Sequence, residues 1–143
     1  MNRRVFLAQA VLPLLAWGDA EADVWEVVAG MAAGLAEPNV AAFLKPIEQA
    51  LPGYETLATN VRAMLDQAEV ESNIRPLRNE GSETARTLEL DWQLRLKRKA
   101  EDGDGPRMVS REEAVTMRFR KDGKKWLVVK LEPLAFFAPP DFS

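Results

Sequence analysis

The sequence predicts one α+β domain in which three N-terminal helices pack on a four-stranded antiparallel sheet. Before residue 68 the apolar residues recur with the 3.6-residue period of a helix, and after it they alternate with the two-residue period of a strand. Helices and strands that are segregated along the chain in this way are typical of α+β domains. The length of 143 residues suits a single hydrophobic core.

The helical half divides into three stretches. Asp23 is a good N-cap for a first helix at 23–36, and Pro38 suits the first turn of a second helix, which Pro46 should kink or shorten. A break at Leu51-Pro52-Gly53 precedes a third helix at 54–67. Apolar stripes at helical spacing mark the faces that should be buried.

The second half reads as an antiparallel meander. A modest strand at 70–74 should lie at an edge of the sheet because Pro76 limits its pairing, and Asn79-Glu80-Gly81-Ser82 predicts a turn. Asp122-Gly123 predicts a tight hairpin. The other strands are predicted at 87–97, 113–120 and 124–132, and in the last of them Leu127, Val129 and Leu131 share one face while Trp126 and Val128 share the other. Residues 100–107 predict a loop.

The strand at 87–97 has the clearest alternation in the chain. Leu88, Leu90, Trp92, Leu94 and Leu96 occupy every second position, with polar residues between them. This pattern is typical of an antiparallel strand with one face on the core and the other in water. We therefore expect the apolar face to contact the helices and Asp91 to be solvated.

Composition excludes several classes of site. The chain has no Cys and no His, so it can form no disulfide, no thiolate metal site, no Cys nucleophile and no Ser-His-Asp triad. The formal net charge is −3, which argues against nucleic-acid binding, since that requires a dominant basic surface. We predict no cofactor and no metal site, and any catalysis would rest on carboxylates, Tyr54, lysines or arginines.

The N-terminal segment has the layout of a secretory signal peptide. Arg3 and Arg4 precede a mostly apolar run at 5–17, which is too short to span a bilayer. Small residues then permit cleavage after Ala20 or Ala22. We predict a signal peptide at 1–20 and an exported bacterial protein, periplasmic or secreted, that meets the membrane only through this segment.

The paired arginines also resemble the twin-arginine export signal. Arg3 and Arg4 are followed two places on by Phe6 and Leu7, which match that signal, whereas Ala8 stands where it prefers Lys. The resemblance implies export by the twin-arginine route.

Residues 23–137 resemble the nuclear-transport-factor-two-like, or ketosteroid-isomerase-like, superfamily, which has a cystatin-like cone fold. The resemblance lies in A-E-P-N-V-A-A-F-L, L-P-G-Y-E-T-L, T-L-E-L-D-W-Q-L, R-K-D-G-K-K-W-L-V-V and the closing L-E-P-L-A-F-F. It implies a strongly curved, cone-like sheet covered by helices, with a cavity at its wide end, and it leaves 138–143 as a short tail. The superfamily includes enzymes and non-catalytic modules, so the fold fixes no function.

Two residues are candidates for chemistry in such a cavity. Tyr54 would orient a ligand carbonyl, or it packs its ring in the core. Glu113 shares strand parity with Val115 and Met117 and is the best candidate for an inward carboxylate. The expected wall of the pocket or core comprises Tyr54, Leu90, Trp92, Leu94, Val115, Met117 and Phe119.

Three functional hypotheses follow. The first is a non-catalytic module that binds a small apolar molecule or a protein partner. The second is a lyase- or isomerase-type enzyme that uses a cavity carboxylate, Glu113, with Tyr54. The third is an accessory subunit or homodimer that associates through the charged outer face of the sheet. The missing residue types favour the first.

Overall fold

The computed structural model describes residues 18–99 and 107–142 and has the predicted α+β architecture. The four strands form one open antiparallel sheet in the order β1-β2-β3-β4. The elements are α1 (Asp19–Ala36), α2 (Val40–Leu44), α3 (Tyr54–Gln67), β1 (Ala68–Gly81), β2 (Ala85–Arg98), β3 (Met108–Asp122), β4 (Lys125–Glu132) and a 3-10 helix (Leu134–Phe137). Residues 1–17 of the predicted signal peptide, with its paired arginines, and most of the predicted loop at 100–107 lie outside the described residues, whereas Asp19 and Ala20 already belong to α1.

Helix α1 begins four residues before its predicted start. The backbone N–H of Gly18 donates to the Glu21 side chain at 3.0 Å, and two acidic residues in the first turn suit the helix dipole. The prediction of Asp23 as N-cap is therefore wrong. One stripe of the helix enters the core, where Val24, Val28, Met31 and Leu35 are buried.

Helix α2 is a short helix between two prolines. It is capped by Asn39, whose side chain accepts a hydrogen bond from the Ala42 N–H at 3.1 Å, so Pro38 lies in the preceding turn and not in the first turn as predicted. The helix ends before Pro46, and the chain then runs parallel to β4. Val128 exchanges backbone hydrogen bonds there with Pro46, at 2.8 Å, and with Glu48, at 3.0 Å.

Helix α3 spans the predicted residues 54–67. Gly53 precedes it with φ of 84°, a left-handed conformation that favours glycine. A Cβ atom at this position would lie 2.7 Å from Cδ1 of Leu134. The glycine therefore allows the start of α3 to approach the segment that follows β4.

Strand β1 is an edge strand, as predicted, but it runs through Pro76 to Gly81. Its register with β2 slips between Pro76 and Arg78, which leaves Leu77 in a bulge with 51% of its surface exposed. The predicted turn at 79–82 lies slightly later. Ser82 forms it by accepting hydrogen bonds from the backbone of Thr84 and Ala85.

The β3–β4 hairpin turns at Gly123, which has φ of 64°, as the Asp122-Gly123 pair predicts. A second register slip, between Arg118 and Phe119, changes which residues of β4 face the core. Strict alternation had placed Leu131 with Leu127 and Val129. The bulge instead turns Leu131 to the buried side, together with Trp126 and Val128.

The helices cover one face of the sheet, here called the inner face. The apolar side chains of β2 at Leu88, Leu90, Trp92, Leu94 and Leu96 are all fully buried there, as the alternation predicts. Among residues 18–99 and 107–142 no helix is long and apolar enough to cross a membrane.

Trp92→Ala and Asp91→Ala should have very different effects on the free energy of unfolding. Removing the fully buried Trp92 should cost about 3–5 kcal/mol because it leaves a large cavity. Asp91 pairs with Arg75 at 3.2 Å on the solvent side, and an ion pair of this kind contributes about 1 kcal/mol or less. Urea unfolding of both variants measures the two values. Equal costs would contradict the assignment of the two faces of β2.

Candidate functional site

The residues predicted as the wall of a pocket lie on the inner face. Leu90 pairs with Val115 and Leu88 with Met117 in the β2–β3 register, so the two strands present one apolar surface. Exposure is 0–2% for all six strand residues of the predicted wall: Leu90, Trp92, Leu94, Val115, Met117 and Phe119. These side chains pack against other parts of the chain.

A cluster of four aromatic rings fills the centre of the inner face. Trp92 lies with its ring centroid 5.1 Å from that of Phe137 and 6.3 Å from that of Phe136, both in edge-on geometry. Phe43 of α2 completes the cluster at 5.2 Å from Phe137. The indole N–H of Trp92 donates to Ser72 Oγ at 3.1 Å, so this buried polar group is satisfied. The 3-10 helix thus closes the inner face with its own rings.

Two arginines hold the C-terminal segment against β3. Arg111 Nη1 donates to the backbone oxygens of Phe136, at 2.8 Å, and Ala138, at 2.6 Å. Arg107 Nη1 donates to the oxygen of Phe142 at 2.6 Å. Desolvation lowers the pKa of Arg111 from its ordinary value, and the two carbonyl oxygens compensate the partly buried charge.

Sequence reasoning missed the role of Arg111, although a signal existed. Arg111 has the parity of Glu113 and Val115, so alternation alone places a cation on the inner side of β3. Its acceptors could not be predicted, because they belong to a segment that folds back from more than 20 residues away along the chain.

The candidate carboxylate is not inside a cavity. The β2–β3 register places Glu113 opposite Trp92, on the inner side as predicted, but its side chain is exposed. It forms no hydrogen bond or ion pair with a described residue. Glu113 thus lies on the inner side of β3, as predicted, but no cavity encloses its side chain.

Tyr54 is the first residue of α3 and is half-buried against the core. Its hydroxyl has no hydrogen-bond partner among the described residues, and no hydrogen bond connects it to Glu113. The structure thus brings Tyr54 and Glu113 into no common hydrogen-bonded site.

The outer face of the sheet carries cross-strand ion pairs between β1 and β2. Arg75 pairs with Asp91 at 3.2 Å, Arg78 with Glu89 at 3.3 Å, and Glu71 with Arg95 at 3.6 Å. Most charges on the outer side of β2 are thus paired with opposite charges on β1, and cross-strand pairs of this kind stabilise a sheet.

Two larger clefts open on the surface. One, of about 930 Å³, lies where β4 ends, between Leu51-Pro52, Thr116, Arg118 and the 129–134 segment. The other, of about 690 Å³, separates α1 and Lys45-Pro46 from the β3–β4 hairpin, and we call it the hairpin cleft. Its lining includes Asp23, Glu26, Val27, Gly30, Met31, Lys45, Lys124, Lys125, Trp126 and Leu127. Neither cleft is lined by a residue of the predicted pocket wall.

No group of three or more acidic residues in the described part of the chain is arranged to hold a metal ion. Trp126 Nε1 is the one buried side-chain nitrogen or oxygen among the described residues that has no hydrogen-bond partner.

Comparison with known proteins identifies the fold. The sequence matches no protein-family model and no curated protein. Among solved structures, one similar protein comes from Streptomyces avermitilis; it is assigned to the NTF2-like family and proposed to be a dehydratase. It aligns with a TM-score of 0.64 and 8% identity, over 80% of this chain and 95% of that one.

Two further structures have the same fold. A type 2 hexachlorocyclohexane dehydrochlorinase, LinA, aligns with a TM-score of 0.60 and 15% identity, over 77% of this chain and 80% of that one. A protein of unknown function with a cystatin-like fold, from Nostoc punctiforme, aligns with a TM-score of 0.54 and 17% identity, over 78% and 90%. At these identities the likeness is one of fold, and it agrees with the NTF2-like, cone-like architecture that the sequence resembles.

Arg111→Met should destabilise the protein more than Arg118→Met. The first change removes a charged donor from two backbone carbonyls and should cost about 1.5–3 kcal/mol. Arg118 lies on the same strand, is exposed and has no side-chain hydrogen bond or ion pair with a described residue, so its change should stay within about 0.5 kcal/mol.

Urea unfolding gives both values, and hydrogen exchange at the Ala138 amide reports the C-terminal segment directly. We expect faster exchange in Arg111→Met alone. The same exchange rate in both variants would show that Arg111 does not hold this segment.

Proposed function

We propose that this chain is a non-catalytic binding module that a bacterium exports, and that it binds a protein partner or a small molecule at its surface. The observation that carries the proposal is the filled inner face. Trp92, Phe43, Phe136 and Phe137 are buried against one another where an enzyme of this fold would need an open cavity with an acid or base.

The residue types and their placement support a non-catalytic role. The chain has no His and no Cys, which are frequent proton-transfer and nucleophilic groups. The best remaining carboxylate, Glu113, is exposed and is not hydrogen-bonded to Tyr54. A general acid or base needs a defined position within reach of a substrate, and neither side chain has one.

A filled inner face also favours binding elsewhere on the molecule. A small apolar molecule could enter this face only by displacing Phe136 and Phe137, whose burial stabilises the core. The surface clefts and the charged outer face need no such rearrangement, so they are the better places for a ligand or partner.

Export is supported by the layout of residues 1–20, and contacts of α1 favour cleavage after Ala20. The carbonyl of Glu21 accepts a hydrogen bond from Asn79 Nδ2 at 3.1 Å, and its carboxylate lies 4.0 Å from the buried Arg86. Cleavage after Ala22 would remove both contacts, whereas cleavage after Ala20 keeps them. The apolar stripe of α1, which begins at Val24, survives either cleavage.

A lyase- or isomerase-type enzyme is the second candidate. It is favoured by the dehydrochlorinase and the proposed dehydratase among the structures of the same fold. Glu113 with Tyr54 would have to supply the chemistry. Association of two copies through the outer face is the third candidate, and the ion pairs on that face imply that such a contact would be polar and sensitive to salt.

Native mass spectrometry of the protein purified from the envelope of a bacterium that expresses the full sequence tests the proposal. We expect a chain that begins at Glu21, with a bound small molecule or protein partner retained. An uncleaved chain recovered from the cytoplasm would contradict export. A bare dimer would favour association of two copies over ligand binding.

Glu113→Gln tests whether Glu113 acts as an acid or base, because the substitution removes the carboxylate and keeps the size of the side chain. The proposal expects wild type and variant to behave alike in elimination and isomerisation assays, with no turnover above buffer. Turnover by the wild type that the variant loses would overturn the non-catalytic role.

A further inference from the structure

The hairpin cleft is lined by a tryptophan whose buried N–H group bonds to no residue that the structure describes. Trp126 lies on the inner side of β4, lines the cleft, and is 5% exposed. Its indole N–H has no acceptor among the described residues, in contrast to Trp92, whose N–H donates to Ser72. Buried donors in folded proteins nearly always have an acceptor, so this N–H indicates an acceptor that is not among the described residues.

The charges around Trp126 indicate the sign of that partner. Lys45, Lys124 and Lys125 line the cleft, and Lys121 Nζ lies 5.5 Å from the centroid of the Trp126 ring. Two acidic residues of α1, Asp23 and Glu26, lie on the opposite wall. Since three lining lysines face two acidic residues, the cleft has a net positive charge, and Lys121 adds a further cation beside the Trp126 ring. None of these six side chains forms an ion pair with another described residue.

We propose that the hairpin cleft is a binding site for a small organic acid. One carboxylate oxygen of the ligand accepts the Trp126 N–H, and the lysines neutralise its charge. A carboxylate fits because it is an acceptor only, and hydrogen bonds to an ionised acceptor are stronger than neutral ones. The apolar body of the ligand lies against Val27, Met31 and Leu127.

The apolar part of the lining favours an organic carboxylate over inorganic phosphate. Val27, Met31 and Leu127 offer a surface on which the body of an organic acid can pack, and phosphate has no such body. The Trp126 N–H is closed to solvent in the free chain, so a ligand reaches it only after neighbouring side chains move. Lys121 lies over the face of the ring and leaves the edge that carries the N–H to other neighbours.

This site deepens the proposed function by naming one surface cleft and the class of its ligand; it rests on binding at the surface but not on the absence of catalysis. The cleft lies between α1 and the β3–β4 hairpin, and the filled inner face does not contribute to its lining. Binding of an organic acid there would stand even if Glu113 and Tyr54 proved to be catalytic.

The test follows the indole N–H resonances of the full chain by proton–nitrogen NMR during titration with 3-phenylpropanoate. Triple-resonance experiments assign the resonances, so this readout requires no variant to fold. We expect a saturable downfield shift of the Trp126 N–H proton, because it gains an acceptor, and little change at Trp92. The neutral analogue 3-phenylpropanamide should produce a much smaller shift.

Charge variants complete the test. Lys124→Gln with Lys125→Gln, both at exposed positions, should weaken binding about five- to tenfold. Lys97→Gln with Lys99→Gln removes the same charge away from the cleft and should leave affinity unchanged. No saturable shift up to the solubility limit of the acid, an equal shift with the amide, or equal affinity in both double variants would overturn the proposal.

Discussion

The edge-on packing of Trp92 against Phe137 is the contact on which the rest of this structure depends. Trp92 lies on β2, in the interior of the sheet, and Phe137 comes from the 3-10 helix that follows β4. Because Phe43 of α2 meets the same ring, the contact joins the sheet, a helix and the C-terminal segment in one cluster. The Arg111 side chain donates to two backbone oxygens of the same C-terminal segment. Phe136 and Phe137 therefore cannot move out of the core unless these charged hydrogen bonds break.

This aromatic cluster determines which surfaces of the molecule remain open to a ligand or partner. The fold is shared with proteins that are named as a dehydrochlorinase and proposed as a dehydratase, yet in this chain the inner face is filled by aromatic side chains. Fold alone does not carry an activity across such low identity. The clefts and the ion-paired outer face remain accessible. Within the described part of the chain, the hairpin cleft is the one lined by a residue, Trp126, whose buried N–H has no acceptor.

The sequence predicted elements whose cause is local and missed features whose cause is distant. The alternation of β2 and the boundaries of α3 follow from periodicity and from the break at Gly53, which are visible in a short window. The bulges at Leu77 and near Phe119 depend on register with neighbouring strands, so the face of Leu131 was assigned wrongly. The exposure of Glu113 could not be predicted either, because strand parity gives the side of the sheet and not the depth of burial. The unpaired N–H of Trp126 could not be predicted, since it requires knowledge of every neighbouring acceptor.

The account is tested most directly by nuclear Overhauser spectroscopy of the aromatic side chains in the full chain. It predicts cross-peaks between the indole protons of Trp92 and the ring protons of Phe136 and Phe137, together with slow exchange of the Trp92 indole N–H. Rings that show no cross-peaks to Trp92, with an indole N–H that exchanges rapidly, would mean that the inner face is open. In that case binding or turnover of a small molecule inside the cavity would become the favoured hypothesis.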